Sequence, residues 1–299
     1  MADKPLTGLK MAINGVGGAM KWSISEKADE NKIVTSDSNG ATDRVNGNTD
    51  WSGDYQALGY SPAALPGESF DGQFSIDGTQ GRSGMAMVDS VEIVIDQEGN
   101  KPVEHTVKFS ADGALTTGNV EVVIGTPTAK FMSKGLKVSM SADGSSFTDL
   151  ERVRKVTLTL SAENSKIADS DTNGSYERLP GVRDWTASID CYVINASALP
   201  RPNDIRVLRI YVTADLYFEL KWGKFLDPGN LQVDASGTPV AVTLQCSMAA
   251  INGTTLGSVK LPGGTQWWPS TTSAPPESTT VGDPEASAVD AYPVEEVPA

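Results

Sequence analysis

Twenty residues of this chain occur twice. Lys32–Trp51 reads KIVTSDSNGATDRVNGNTDW and Lys166–Trp185 reads KIADSDTNGSYERLPGVRDW, in gapless register 134 residues apart. Ten positions are identical: the Lys-Ile pair, Ser-Asp, Asn-Gly, an Arg, a Gly and the closing Asp-Trp. Self-similarity of this length marks an internal duplication, and it sets the architecture before any local reading. A chain of 299 residues has room for about two domains, each able to bury its own core. The expected organisation is a first β domain over 1–118, a linker over 119–135, a second β domain over 136–261 and a flexible tail over 262–299.

Between and around the copies, apolar residues recur with a period of two. Met20, Trp22 and Ile24 alternate with polar neighbours, as do Phe70, Phe74 and Ile76, then Val91, Ile93 and Ile95, then Val107 and Phe109. The second half repeats the habit in Leu136, Val138 and Met140, in Val156, Leu158 and Leu160, and in Trp185, Ala187, Ile189, Cys191 and Val193. Leu216, Phe218, Leu220 and Trp222 follow, and then Val240, Val242, Leu244, Cys246 and Met248. Such alternation, punctuated by Asp-Gly, Asn-Gly and Gly-Asn turns, predicts antiparallel β structure. Val120–Ile124 is one more expected strand, Arg206–Val212 reads equally as strand or short helix, and Ser61–Gly67 leaves room for a short helix without signalling one. The repeated stretch itself reads as a polar loop of about fifteen residues that ends where Asp-Trp opens the next strand.

The formal charge is −14, of which −6 lies beyond Leu261 in Glu277, Asp283, Glu285, Asp290, Glu295 and Glu296, leaving −8 on the body. An acidic surface repels phosphate and argues against tight nucleic-acid binding, though not against a wall along which DNA slides. The tail is rich in Pro, Ser, Thr and Ala, buries too little apolar surface to offset its ordering entropy, and is expected to be disordered apart from Trp267 and Trp268. No apolar run reaches the roughly 18 residues that span a bilayer, and MADKPLTGLK has no signal-peptide core, so no membrane anchor and a cytosolic origin are expected. Cys191 and Cys246 read as buried free thiols, not as a framework.

The motifs that carry chemistry elsewhere are incomplete here. Asn14-Gly15-Val16-Gly17-Gly18 lacks the helix that a dinucleotide fingerprint requires. Asp169, Asp171 and Asn173 open like a calcium loop, but position twelve, where a bidentate Glu is needed, is Pro180; they are a weak calcium candidate, and tight turns use the same residues without a metal. His105 is the lone histidine and reads as structural. Asp43 with Asp50, and Glu177 with Asp184, resemble a general acid and base pair, yet Arg44 and Arg178 stand in the same loops, so ion pairing is the expected use. Asn195-Ala196-Ser197 and Asn252-Gly253-Thr254 read as turns. No catalytic residue and no cofactor are expected, and the chain does not read as an enzyme.

The order of strand, polar Asn/Gly/Ser/Asp loop, Arg, Gly and Asp-Trp, with Ser139-Met140-Ser141-Ala142-Asp143-Gly144-Ser145-Ser146-Phe147-Thr148 upstream of the second copy, resembles the tail tube (major tail) proteins of long-tailed bacteriophages. The resemblance implies two tandem tail-tube-like β-sandwich or barrel domains, each with at most one short flanking helix. It further implies a structural virion protein of the tail, assembled in the host cytoplasm, whose stacked rings conduct DNA without binding it specifically. Three two-domain chains would make a pseudo-hexameric ring, and the tape measure and terminator proteins would be its other partners. Contacts between rings would fall in Ser36–Asp50 and Ser170–Asp184, through Asp37, Asn39, Gly40, Arg44, Asp50, Asp171, Asn173, Gly174, Arg178 and Asp184, with Trp51 and Trp185 as structural anchors. The alternative is a capsid decoration or surface-displayed β-sandwich binding module, which would stay a monomer or small trimer.

Overall fold

The structure, a computed structural model, describes residues 10–34, 37, 42–125, 133–172, 174–193, 199–227, 238–251, 254–255 and 258–263. Trp267, Trp268 and the acidic tail lie outside them, as do the two Asn-X-Ser/Thr turns but for Thr254. The described chain is almost wholly β. In the first half the strands are β1 (Ala12–Ile13), β2 (Ala19–Ile33), β3 (Asp43–Leu58), β4 (Ser69–Ser75), β5 (Gln80–Asp96), β6 (Glu104–Ala111) and β7 (Thr116–Asn119). In the second they are β8 (Lys137–Ser141), β9 (Thr148–Leu150), β10 (Val153–Ala162), β11 (Ser165–Ile167), β12 (Glu177–Leu179), β13 (Arg183–Tyr192), β14 (Ile205–Tyr211), β15 (Tyr217–Asp227) and β16 (Ala241–Met248). Three short strands follow: β17 (Ala250–Ile251), β18 (Thr254–Thr255) and β19 (Ser258–Lys260). No α-helix occurs among the described residues; Ser133–Gly135 forms one 3-10 turn.

Fifteen strands join one sheet whose main path runs β2-β3-β6-β5-β10-β13-β16-β15-β14-β8-β9. β4 branches from β5 and carries β1, while β7 also lies on β5 and β19 on β15. All these pairings are antiparallel. The long β5 serves two neighbourhoods: Gly81–Met87 pairs with β4, whereas Ala86–Val94 pairs with β6. β4 thereby comes to lie over the face of β3 and β6 instead of beside it. Phe70 and Phe74 of β4 reach Phe109 of β6 at ring distances of 5.6 and 5.2 Å, and Phe70 meets Tyr55 of β3 at 6.5 Å. Aromatic pairs at such distances add to the burial of their own area, and they form the centre of the first half's core.

The halves meet along one seam, where β10 pairs with β5 from Lys155↔Asp96 to Ser161↔Ser90. Alternation places Val156, Leu158 and Leu160 beside Val91, Ile93 and Ile95 on the inward face, each no more than 1% exposed. Burying each such side chain contributes about 1.5–3 kcal/mol relative to leaving it in water, so the seam is part of the core, and the main hydrophobic cluster runs through both halves.

Three local expectations change. Arg206–Val212 is a strand, β14, over most of its length. The first polar loop is shorter than its composition suggested: β3 already begins at Asp43, and Ile33↔Asp43 to Glu30↔Asn46 pair in a long hairpin. Val120–Ile124 is not a strand; the polar Thr116–Asn119 takes that place on β5, because an edge position needs backbone groups to pair and only limited apolar surface to bury.

Candidate functional site

The repeated stretches come together at the seam, the second docking on the first. β11 and β12 pair in register Lys166↔Arg178, which sets two cations side by side. Both close on Asp50 at the middle of β3: Lys166 Nζ lies 2.8 Å from Oδ2 and an Arg178 guanidinium nitrogen 3.1 Å from Oδ1. Arg178 is largely buried, with 9% of its side chain exposed. Burial pushes the Asp50 carboxyl up, but its bonds to Lys166 and Arg178 together outweigh that and hold it below the usual carboxylate range.

Backbone and side-chain bonds extend the contact. The Thr49 N–H donates to the Gly174 carbonyl at 2.8 Å, the Tyr176 N–H to the Thr49 carbonyl at 3.2 Å and the Gly113 N–H to the Tyr176 carbonyl at 2.9 Å. The Tyr176 hydroxyl donates to Asp29 at 2.6 Å, and the Arg178 N–H to Asp112 Oδ1 at 3.1 Å. Lys166 Nζ lies 3.4 Å from the centre of the Tyr176 ring, a cation–π arrangement. Gly174 adopts φ +84°, a left-handed conformation that glycine takes without steric cost.

Of the residues singled out in the sequence, Asp50, Gly174 and Arg178 therefore meet within one chain. Arg44 pairs across the first hairpin with Glu30 at 2.6 Å, both well exposed. Asp37 is exposed. Asn39, Gly40 and Asn173 lie outside the described residues. Trp51 and Trp185 are 3% and 0% exposed. The Trp51 indole N–H donates to the Gly113 carbonyl at 2.9 Å, while that of Trp185 is buried with no hydrogen-bond partner among the described residues.

Asp184, the counterpart of Asp50 before Trp185, lies apart from this cluster. Its Oδ1 accepts the Trp185 N–H at 2.7 Å. Burial pushes its carboxyl up, the Trp185 N–H opposes this, and nearby Glu163 raises it further. No cation lies within ion-pair distance of it among the described residues. Sequence reading missed Asp29 and Asp112, which lie outside the repeat, and Tyr176, which lies within it where the first copy has Thr42. The Asp112-Gly113 turn was visible but not its use.

The other constellations have structural employment. Asp169 Oδ1 accepts the N–H groups of Asp171 and Thr172 at 2.9 and 3.2 Å, which makes an Asx turn. Among the described residues no three His, Cys, Asp or Glu side chains gather as metal ligands do. Cys191 and Cys246 are free and buried, and burial pushes their thiols up to about 11 and about 12. A depression of about 500 Å³ beside β9 collects Lys137, Arg154, Glu98 and Asp149, but these are joined as Arg154–Glu98 at 3.1 Å and Lys137–Asp149 at 2.9 Å. What the arrangement at Asp50 can do is hold one β unit against another. No family model matches the chain, and no curated protein matches it.

Proposed function

We propose that the protein is the tail tube subunit of a long-tailed bacteriophage, two fused tube units that assemble as rings and stack into a conduit for DNA. The observation that carries this reading is the seam between β5 and β10. The strand path β2-β3-β6-β5 is followed edge to edge by β10-β13-β16-β15. The branch β4 with β1 on β5 is matched by β14 with β8 on β15, and β7 on β5 by β19 on β15. Two copies of one unit laid side by side in a shared sheet are the beginning of a series, and a series with a constant rotation closes into a ring. Six units per ring would come from three chains. The net charge of −14 suits a channel wall that DNA must pass without sticking. In this reading Asp50, Lys166 and Arg178 join neighbouring units within a ring, which leaves the hairpin end beyond Ile33 for contact between rings. Tape measure and terminator proteins are the other partners, and the chain does no catalysis.

Negative-stain microscopy of the purified protein over a range of concentrations tests this. Stacked rings or tubes with a central channel and a repeat of a few nanometres are expected. Monodisperse particles at every concentration would favour a decoration or binding module and end the tube reading.

A further inference from the structure

At the corner where β9 turns into β10, the depression of about 500 Å³ has a floor and a rim of different chemistry. The floor is apolar: Leu136 and Leu150 are each 8% exposed, and Val153 is partly buried against the core. The volume is within the range of small-molecule sites. The rim holds three cations, Lys137, Arg152 and Arg154, against two acids, Glu98 and Asp149, one positive charge in excess. On a chain of net charge −14 such an excess is against the trend.

Both acids are engaged. Glu98 lies 3.1 Å from Arg154, and Asp149 lies 2.9 Å from Lys137 and accepts the Ser139 hydroxyl at 2.6 Å. The neighbouring Glu151 lines a different depression, with Met140 and Leu199. Asp190 acts on Arg154 through space, but its carboxylate accepts the Thr243 hydroxyl at 2.6 Å. What remains on the rim is a surplus of donors. Arg152 makes no ion pair among the described residues, and the Arg154 Nε–H is buried with no hydrogen-bond partner among them. A donor withdrawn from water without an acceptor is destabilising, and an acceptor placed beside it recovers that loss.

The backbone gives a second, independent sign. Arg152 has φ +55°, the left-handed region that glycine enters without steric cost and an arginine does not. Its carbonyl accepts the Tyr192 N–H at 3.1 Å, which holds the turn in place. A turn that needed only this backbone would be served by Gly or Asn. Arginine at this position brings a guanidinium to the rim, and a side chain kept at a strained position points to a use for it.

We propose that this depression binds a small monocarboxylate with a short apolar chain. The carboxylate bridges the Arg152 guanidinium and the Arg154 Nε–H, and the chain covers Leu136, Leu150 and Val153. Charge-assisted hydrogen bonds to guanidinium groups hold the head, while removal of apolar surface from water holds the chain. The Arg154–Glu98 and Lys137–Asp149 pairs stay as they are. The site does not depend on the tube reading.

Titration calorimetry on the full-length chain tests it with three probes: hexanoate, acetate, which has the charge without the chain, and hexylammonium, which has the chain with the opposite charge. Hexanoate should bind saturably, and the other two at least about tenfold more weakly. Arg152→Ala should weaken hexanoate about tenfold, and so should Arg154→Lys, which keeps a cation for Glu98 but removes the Nε–H. Lys221→Ala, a cation outside the depression, should bind as the wild type does, and circular dichroism confirms that each variant is folded. No saturable binding of hexanoate, undiminished binding by either arginine variant, or hexylammonium bound as tightly as hexanoate overturns the site.

Discussion

His105 lies between β3 and β5, opposite Ala57 on one side and Ile93 on the other, and is 1% exposed. Its Nδ1 is 3.0 Å from the Gly59 carbonyl, which only accepts, so Nδ1 carries the proton and Nε2 is the acceptor left buried without a partner among the described residues. The Tyr55 ring meets it edge-on at 6.0 Å. Burial lowers its pKa and the Gly59 bond only partly offsets this, so the folded imidazole stays neutral where the unfolded one, near 6.5, charges. The unfolded state thus binds more protons, and stability rises with pH. Its contribution is full above about pH 6.5 and falls by up to about 1.4 kcal/mol per pH unit below that, until the folded histidine also protonates. Urea unfolding at pH 7.5 and 5.5 should show a larger loss in the wild type than in His105→Phe, and equal losses would refute the assignment. The inward position of His105 was readable from its alternation with Val107 and Phe109. The acceptor that sets its tautomer comes from a loop forty-six residues away and was not.

At the scale of elements, the β2–β3 hairpin shows why composition misjudged strand length. Arg44, Thr49 and Asp50 carry no apolar alternation, yet β2 supplies backbone partners for β3 from Ile33↔Asp43 to Ala19↔Ala57, with irregularities between Ala28 and Glu30 and between Ala19 and Lys21, and a ladder is indifferent to side chains that face water. Within this hairpin Gly53 pairs opposite Phe109. A Cβ there would stand 2.2 Å from the Ser23 carbonyl oxygen and 2.6 Å from the Phe109 ring. Backbone and a packed aromatic cannot both yield, so Gly53→Ala should lower stability by about 1–3 kcal/mol, read as a fall in the urea midpoint. A neutral result would mean that β2 can move off β3 without cost. The glycine was visible in the sequence. Its crowding was not, because it depends on the register of three strands.

For the whole molecule, the seam couples the halves that the repeated stretch sets apart. Seven paired positions from Lys155 to Ser161 and six inward aliphatic side chains span the boundary, and the Asp50 cluster ties the second repeat to the first. Separate domains on a linker would unfold independently. Here unfolding by urea should be a single transition, coincident by tryptophan fluorescence and circular dichroism, and two resolved transitions would show that the seam contributes little.

Sequence alone determined that a twenty-residue stretch recurs, that the chain on both sides of it is mainly β, and that the repeated loops hold acids together with arginines. These follow from period and identity, which are local properties of the chain. Only the tertiary structure decided that Arg178 and Lys166 face Asp50 and not their own Asp184, that β10 extends the sheet of the first half, and that β2 ends it with an open side. Strand order and register are set by contacts between residues far apart in the chain, such as Lys155 with Asp96 and Arg178 with Asp50, and no local pattern in either copy of the stretch specifies them.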